Sequence, residues 1–138
     1  MTITHHELCF GCGLANLFGL QLEVERDGER GVAGRFFVKQ DHQGPPGSTH
    51  GGIVATALDE AMALLVHDAR EDALTRWLEV ELLAPAPIGS FVSVWASIDE
   101  DDGRRLVLSS ELAGEGGDVI ARARGVFLRV PSRGGETG

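Results

Sequence analysis

Two adjacent carboxylates, Asp59 and Glu60, lie inside an almost unbroken apolar run, "HGGIVATALDEAMALL" at residues 50–65. A buried charge without a partner is costly, so acidic side chains in such a run suggest a function. Burial raises the pKa of a carboxyl group and suits it to act as a nucleophile or as a general base for water. The alternative is a structural aspartate whose oxygens are satisfied by the backbone or by solvent.

The run opens with His50, Gly51 and Gly52. The first N–H groups of a helix have no intrahelical acceptor and lie at the positive end of the helix dipole. Glycine allows a substrate carbonyl to approach these groups closely, so they can form an oxyanion hole. A glycine pair considered alone could instead serve only to permit a tight turn from loop to helix.

One helix and six strands are predicted to position these residues. The segment from Gly52 to about residue 67 has no further Gly or Pro and is apolar almost all the way round, which predicts a buried helix. Alternating or Val-rich runs predict strands at residues 19–25, 32–38, 74–83, 91–98, 106–112 and 119–130. This order predicts one α+β domain over residues 1–130, with a curled antiparallel sheet wrapped around the helix. Residues 131–138 are expected to form a disordered tail.

The composition argues against several classes of partner. The chain of 138 residues carries a formal charge of −9 and has no cluster of Lys or Arg, which disfavours nucleic acid and anionic membranes. No apolar stretch is long enough to span a membrane, and the first residues lack the pattern of a signal peptide. A cytoplasmic location is therefore expected.

The spacing from His50 through Gly51 and Gly52 to Asp59 resembles that of hotdog-fold thioesterases of the phenylacetate-pathway (PaaI-like) type. The segments "CFGCG", "HQGPPGSTHGG", "LLAPAPIG" and "ARARGVFLRV" resemble one branch of that family. The resemblance implies a hotdog fold and hydrolysis of acyl-coenzyme A to a free acid and coenzyme A. It also implies a homodimer or homotetramer with active sites shared between subunits, and no cofactor.

The same resemblance gives roles to individual residues. Asp59 is expected to be the nucleophile or general base, and the N–H of Gly51 in the opposite subunit is expected to form the oxyanion hole. Gly52 is expected to contact the substrate. Glu60 is the rival carboxylate, but it lies about 100° round the helix from Asp59. It is expected to make a structural pair or, failing that, a contact with the substrate.

Two further residues have open roles. His50 is a candidate catalytic residue: it acts as a base, contacts the substrate directly, or positions the loop that presents Gly51, and the positioning role is preferred over that of a base. Gln43 is a candidate to hold a water or the thioester carbonyl, although relatives commonly carry their amide at the position of Gly44. The hydroxyl that some relatives carry before the inter-strand proline is replaced here by Ala84, so any help from it is absent.

Cys9 and Cys12, with His5 and His6 nearby, could offer four zinc ligands. Four ligands within eight residues, two of them adjacent histidines, would be sterically awkward. A packing turn is therefore the preferred interpretation, and no metal site is predicted.

Two other functions are compatible with such a fold. A hydratase or dehydratase acting on acyl thioesters pairs a His with an acid in a different order and lacks the His-Gly-Gly motif. A non-catalytic acyl-thioester-binding protein would keep the pocket but could lose Asp59, and it would usually carry an effector domain. Because a fold alone does not separate these functions, the choice depends on the site.

Overall fold

The computed structural model describes residues 2–69 and 72–130, and the predicted tail lies outside the described residues. Six antiparallel strands form one sheet in the order β1-β2-β4-β5-β6-β3, and one α-helix of 18 residues packs against it. The elements are β1 (Glu23–Arg26), β2 (Gly31–Phe37), α1 (Gly51–Asp68), β3 (Ala73–Leu82), β4 (Phe91–Asp101), β5 (Arg105–Ala113) and β6 (Val119–Arg129). The predicted α+β arrangement is confirmed.

Helix α1 is buried because apolar side chains on several sides of the helix pack against the sheet. Leu58, Met62 and Leu65 belong to the same buried cluster as Leu108 and Phe127 of the sheet. Burial of each such side chain contributes roughly 1.5–3 kcal/mol. The described part of the chain contains no helix with the length and hydropathy of a membrane span.

The first strand is shorter than predicted. Leu20, Leu22 and Val24 are all buried, as their alternation indicated, but β1 begins only at Glu23. The N–H groups of Leu20 and Leu22 donate to carbonyls of the N-terminal segment instead of to a neighbouring strand. Gln21 between them has a φ of 53°, which interrupts the extended backbone. This stretch therefore binds the N-terminal segment to the core.

Strand β3 lies at one edge of the sheet, and no strand of the described residues pairs with its outer side. Leu78, Val80 and Leu82 alternate along it with Trp77, Glu79 and Glu81, yet Leu78 and Leu82 are 37% and 57% exposed. A strand of 10 residues with exposed apolar side chains is a ready template for pairing with another chain. Among the described residues, the outer edge of β3 beside α1 is thus not covered by another strand.

Candidate active site

Helix α1 begins at Gly51 and is capped by His50. The Nδ1 atom of His50 accepts a hydrogen bond from the N–H of Gly52 at 2.9 Å, and the backbone of His50 is extended, as is usual for a capping residue. Thr49, the residue before His50, donates its hydroxyl to the carbonyl of Ala86 at 2.7 Å and does not cap the helix. The structure therefore gives His50 a positioning contact at the helix start.

The two glycines differ in what their N–H groups do. The N–H of Gly52 is engaged by His50, whereas no acceptor among residues 2–69 and 72–130 lies opposite the N–H of Gly51. A Cβ atom on Gly51 would lie 3.0 Å from Leu82, and one on Gly52 would lie 3.1 Å from the His50 ring. Gly51 thus offers the donor expected of an oxyanion hole. A substrate contact by Gly52 would have to displace the cap.

A buried histidine that the sequence patterns did not reveal supports this helix start. His42 is 1% exposed and accepts the N–H of Lys39 at Nδ1, so its Nε2 carries the proton and donates to the carbonyl of Gly19 at 3.2 Å. Burial lowers the pKa of His42, which keeps the ring neutral. Its carbonyl accepts the N–H of His50 at 2.8 Å. The only signal for His42 was its place in a breaker-rich loop.

Gln43 is committed to its own loop. Its Oε1 atom accepts from the side chain of Gln40 at 3.1 Å and from the N–H of Gly47 at 3.2 Å. At Gly44, where relatives commonly carry an amide, a Cβ atom would lie 2.7 Å from the Cα of His50. No side chain fits there unless the backbone shifts, so this loop contributes backbone close to His50 in place of an amide.

Asp59 lies on the side of α1 that faces the open edge of the sheet. Its half-buried carboxylate accepts a hydrogen bond from Thr75 Oγ1 of β3 at 3.0 Å. Burial raises the pKa of Asp59, the hydrogen bond from Thr75 opposes this rise, and the nearby charge of Glu60 adds to it. Thr75 was missed from the sequence because threonine is ordinary in a strand.

Glu60 points in another direction. It is 8% exposed, and its Oε2 atom lies 3.5 Å from Nε2 of His5 and accepts from the Sγ of Cys9 at 3.4 Å. Burial raises the pKa of the neighbouring Cys12 thiol to about 12, and Glu60 adds to the rise. Glu60 therefore belongs to a cluster with the N-terminal segment, and the structure does not bring its carboxylate to Thr75.

Gly51 and Asp59 both lie along β3 but near its opposite ends. Gly51 is beside Leu82, and Asp59 is beside Thr75. Along the helix they are roughly 12 Å apart at 1.5 Å per residue, which is too far for both to contact one thioester carbon. A single chain therefore does not bring the N–H of Gly51 and the carboxylate of Asp59 to the same point.

A cavity of about 1180 Å³ lies elsewhere on the sheet. Its lining includes Arg122, Arg124, Glu81 and Glu111, and it contains neither Asp59 nor Gly51. Arg122 and Arg124 share one exposed face of β6, and Arg122 lies 3.7 Å from Glu81 and 3.8 Å from Glu111. These two contacts pair the charge of Arg122 within the protein.

The thioesterase superfamily matches residues 46–121, from the loop before α1 into β6. The acyl-coenzyme A thioesterase THEM4 of Bos taurus is 30% identical over 89 residues, which are 64% of this chain and 36% of that protein. The matched part of this chain therefore corresponds to well under half of that relative.

Two solved structures have the same arrangement of helix and sheet. The PaaI protein of E. coli, from the phenylacetic acid degradation operon, superposes with a TM-score of 0.75 at 18% identity, covering 83% of this chain and 86% of that one. A hypothetical thioesterase of Streptococcus pneumoniae, solved with coenzyme A, gives a TM-score of 0.75 at 16% identity, covering 80% and 87%. The predicted hotdog fold is confirmed.

Proposed function

The chain belongs to the thioesterase superfamily, and we propose that it hydrolyses acyl-coenzyme A thioesters to a free acid and coenzyme A. The observation that carries this proposal is the half-buried Asp59 carboxylate, which Thr75 holds at the open edge of the sheet. The N–H of Gly51 lies beside the same strand and has no acceptor among the described residues. The name of the bovine relative and the coenzyme A bound to the streptococcal protein support the substrate class.

The proposed chemistry uses the two halves of the site together. Asp59 attacks the thioester carbon directly or removes a proton from an attacking water. Negative charge then develops on the carbonyl oxygen, where the N–H of Gly51 and the positive end of the α1 dipole stabilise it. The carbon–sulfur bond breaks, and coenzyme A leaves as a thiolate that takes up a proton. If Asp59 attacks directly, water then hydrolyses the anhydride formed between Asp59 and the acyl group, which releases the acid and restores the carboxylate. On either route water supplies the second oxygen of the acid.

We infer that the halves are joined in a homodimer or homotetramer. Antiparallel pairing of two β3 strands, with a two-fold axis near Leu78 and Glu79, would set Leu82 of one subunit opposite Thr75 of the other. Because Gly51 lies beside Leu82 and Asp59 beside Thr75, each junction would unite the donor of one chain with the carboxylate of its partner. The exposed apolar side chains of β3 support such pairing. Closed two-fold symmetry is also the usual form of oligomers.

The streptococcal relative supplies a further argument for Asp59 and Thr75. Structures of that protein include one variant with an aspartate replaced by alanine and another with a threonine replaced by alanine. In that chain the two positions are 16 residues apart, the same separation as between Asp59 and Thr75. This agreement favours Asp59 as the reacting carboxylate and Thr75 as the residue that orients it.

The cytoplasm remains the proposed location. Cys9 and Cys12 are both free thiols in the structure, which suits a reducing compartment.

A thiol-release assay over aromatic, short-chain and long-chain acyl-coenzyme A thioesters tests the proposed function. Release of free coenzyme A together with the acid from at least one substrate class is expected. Tight binding of thioesters without thiol release would instead indicate a non-catalytic binding protein. Addition of water to an unsaturated acyl chain with the thioester left intact would indicate a hydratase.

A further inference from the structure

We propose that His5, Cys9, Cys12 and Glu60 form a zinc site that fastens the N-terminal segment to helix α1. The four ligand atoms lie within 4.8 Å of one another. Three of them come from residues 5–12 of the N-terminal segment, and the fourth comes from the middle of α1. Imidazole, thiolate and carboxylate are the groups that bind zinc in proteins, and two Cys separated by two residues are a common part of structural zinc sites.

Three separations between neighbouring ligand atoms fall within the range found around a tetrahedral zinc. Zinc–ligand bonds of about 2.0–2.3 Å in a tetrahedron place the ligand atoms roughly 3.3–3.8 Å apart. The measured separations are 3.3 Å between Cys12 Sγ and His5 Nδ1, 3.4 Å between Cys9 Sγ and Glu60 Oε2, and 3.5 Å between His5 Nε2 and Glu60 Oε2. The same distances between thiols and their neighbours make only weak hydrogen bonds. The two ring nitrogens of His5 lie toward different ligands, Nδ1 toward Cys12 and Nε2 toward Glu60, and a metal would take one of them.

Burial and charge also favour a cation. Cys12 is 0% exposed and Glu60 is 8% exposed, so most of the water that could solvate an anionic cluster is excluded. Two thiolates and a carboxylate carry three negative charges, and a divalent cation neutralises two of them. Zinc bound by four side chains has no open position, which is typical of a structural site.

The ligand set differs from the one considered in the sequence. His6 is not a member, because its Nδ1 atom accepts the N–H of Leu8 at 3.0 Å and stabilises the turn. Glu60 takes its place, so adjacent histidines need not share one metal. The steric objection that favoured a packing turn therefore does not apply to these four residues, and this proposal replaces the expectation of no metal.

Gly11 provides independent support for the role of Glu60. A Cβ atom on Gly11 would collide with Cγ, Cδ and Oε1 of Glu60, so the carboxylate lies directly over the turn between the two cysteines. A metal at this point would link Cys9 to a residue 51 positions further along the chain. Closing so long a loop restricts the unfolded chain, so binding should stabilise the fold.

The test measures metal directly. The full chain is purified without a histidine tag or chelator and with its thiols reduced. It should contain about one zinc per chain by inductively coupled plasma mass spectrometry. Replacing the zinc with cobalt should produce thiolate-to-cobalt charge-transfer bands and the intense visible bands of a tetrahedral centre. His5→Gln and Glu60→Gln should each bind zinc at least about tenfold more weakly. His6→Gln, the same substitution one residue away, should bind it like the wild type.

Circular dichroism shows whether each variant is folded. If a variant does not fold, the metal content and the Tm of the wild-type chain still test the proposal. A chelator should lower the Tm of the wild-type chain and of His6→Gln, but not that of His5→Gln. The proposal is overturned if the reduced wild-type chain binds neither zinc nor cobalt at micromolar concentration. It is also overturned if Glu60→Gln retains full affinity, or if His6→Gln loses as much affinity as His5→Gln.

Discussion

The hydroxyl of Thr75 donates a hydrogen bond of 3.0 Å to the Asp59 carboxylate, joining the edge strand β3 to the middle of helix α1. This bond orients the one carboxylate of α1 that faces the open edge of the sheet. It also stabilises the ionised form of a group whose pKa burial raises. Two opposing effects therefore set the pH at which Asp59 can act.

Thr75→Val should shift the acid limb of the pH–rate profile. The limb of kcat/KM in the wild-type chain should have its midpoint above the ordinary aspartate value of about 4, because burial raises the pKa of Asp59. Loss of the hydrogen bond should raise that pKa further and move the midpoint to higher pH. Thr56→Val is the matched control, since the Thr56 hydroxyl binds the carbonyl of Gly52 instead. An unchanged midpoint in Thr75→Val would show that the bond does not tune the reacting group.

Substitutions at His50 should separate positioning from direct chemistry. His50→Ala removes the helix cap and should lower the free energy of unfolding by about 1 kcal/mol. His50→Asn offers another acceptor to the N–H of Gly52 and should keep most of the stability and most of the kcat. Urea unfolding and thiol release measure the two effects. A stable but inactive His50→Asn would contradict the positioning role.

The sequence predicted the helix and the placement of Asp59 and Gly51, because their signals are local. Apolar periodicity locates α1, and a glycine pair locates its start. It could not predict that Thr75 meets Asp59 or that Glu60 meets His5, because those contacts join positions far apart in the chain. His42 was missed for a similar reason: its partners, Lys39 and Gly19, lie in irregular backbone without any period.

The exposed β3 edge predicts that the chain is an oligomer. Sedimentation should give a mass of at least twice the 14.7 kDa of one chain. Leu78→Glu would place like charges near the proposed two-fold axis and should produce monomers with little activity. Leu14→Glu, at another exposed leucine away from β3, is the control and should leave the mass unchanged. A fully active wild-type monomer would rule out shared sites.

Mixed oligomers should reveal whether the two halves of a site come from different chains. Asp59→Asn and Gly51→Val should each be nearly inactive, the latter because its side chain would crowd Leu82 and the donor. When the two variants are unfolded together and refolded, some junctions combine an intact Gly51 with an intact Asp59, so part of the activity should return. Each variant refolded alone is the control. No recovery in verified hybrids would mean that both halves act within one chain.

In the proposed mechanism Asp59 carries the hydrolysis, and the kcat of Asp59→Asn is the measurement that tests this role. The change keeps the size of the side chain and its hydrogen bond to Thr75 but removes the nucleophile or base. It should lower kcat for acyl-coenzyme A hydrolysis by about a hundredfold or more, with little change in KM. Two control variants should have much smaller effects on kcat. One is Glu60→Gln, compared at equal amounts of folded chain. The other is Asp68→Asn, the same substitution at a surface ion pair with Arg26. Hydrolysis by Asp59→Asn at the wild-type rate would contradict the catalytic role of Asp59. If Glu60→Gln were inactive in the same assay, the reacting carboxylate would be Glu60.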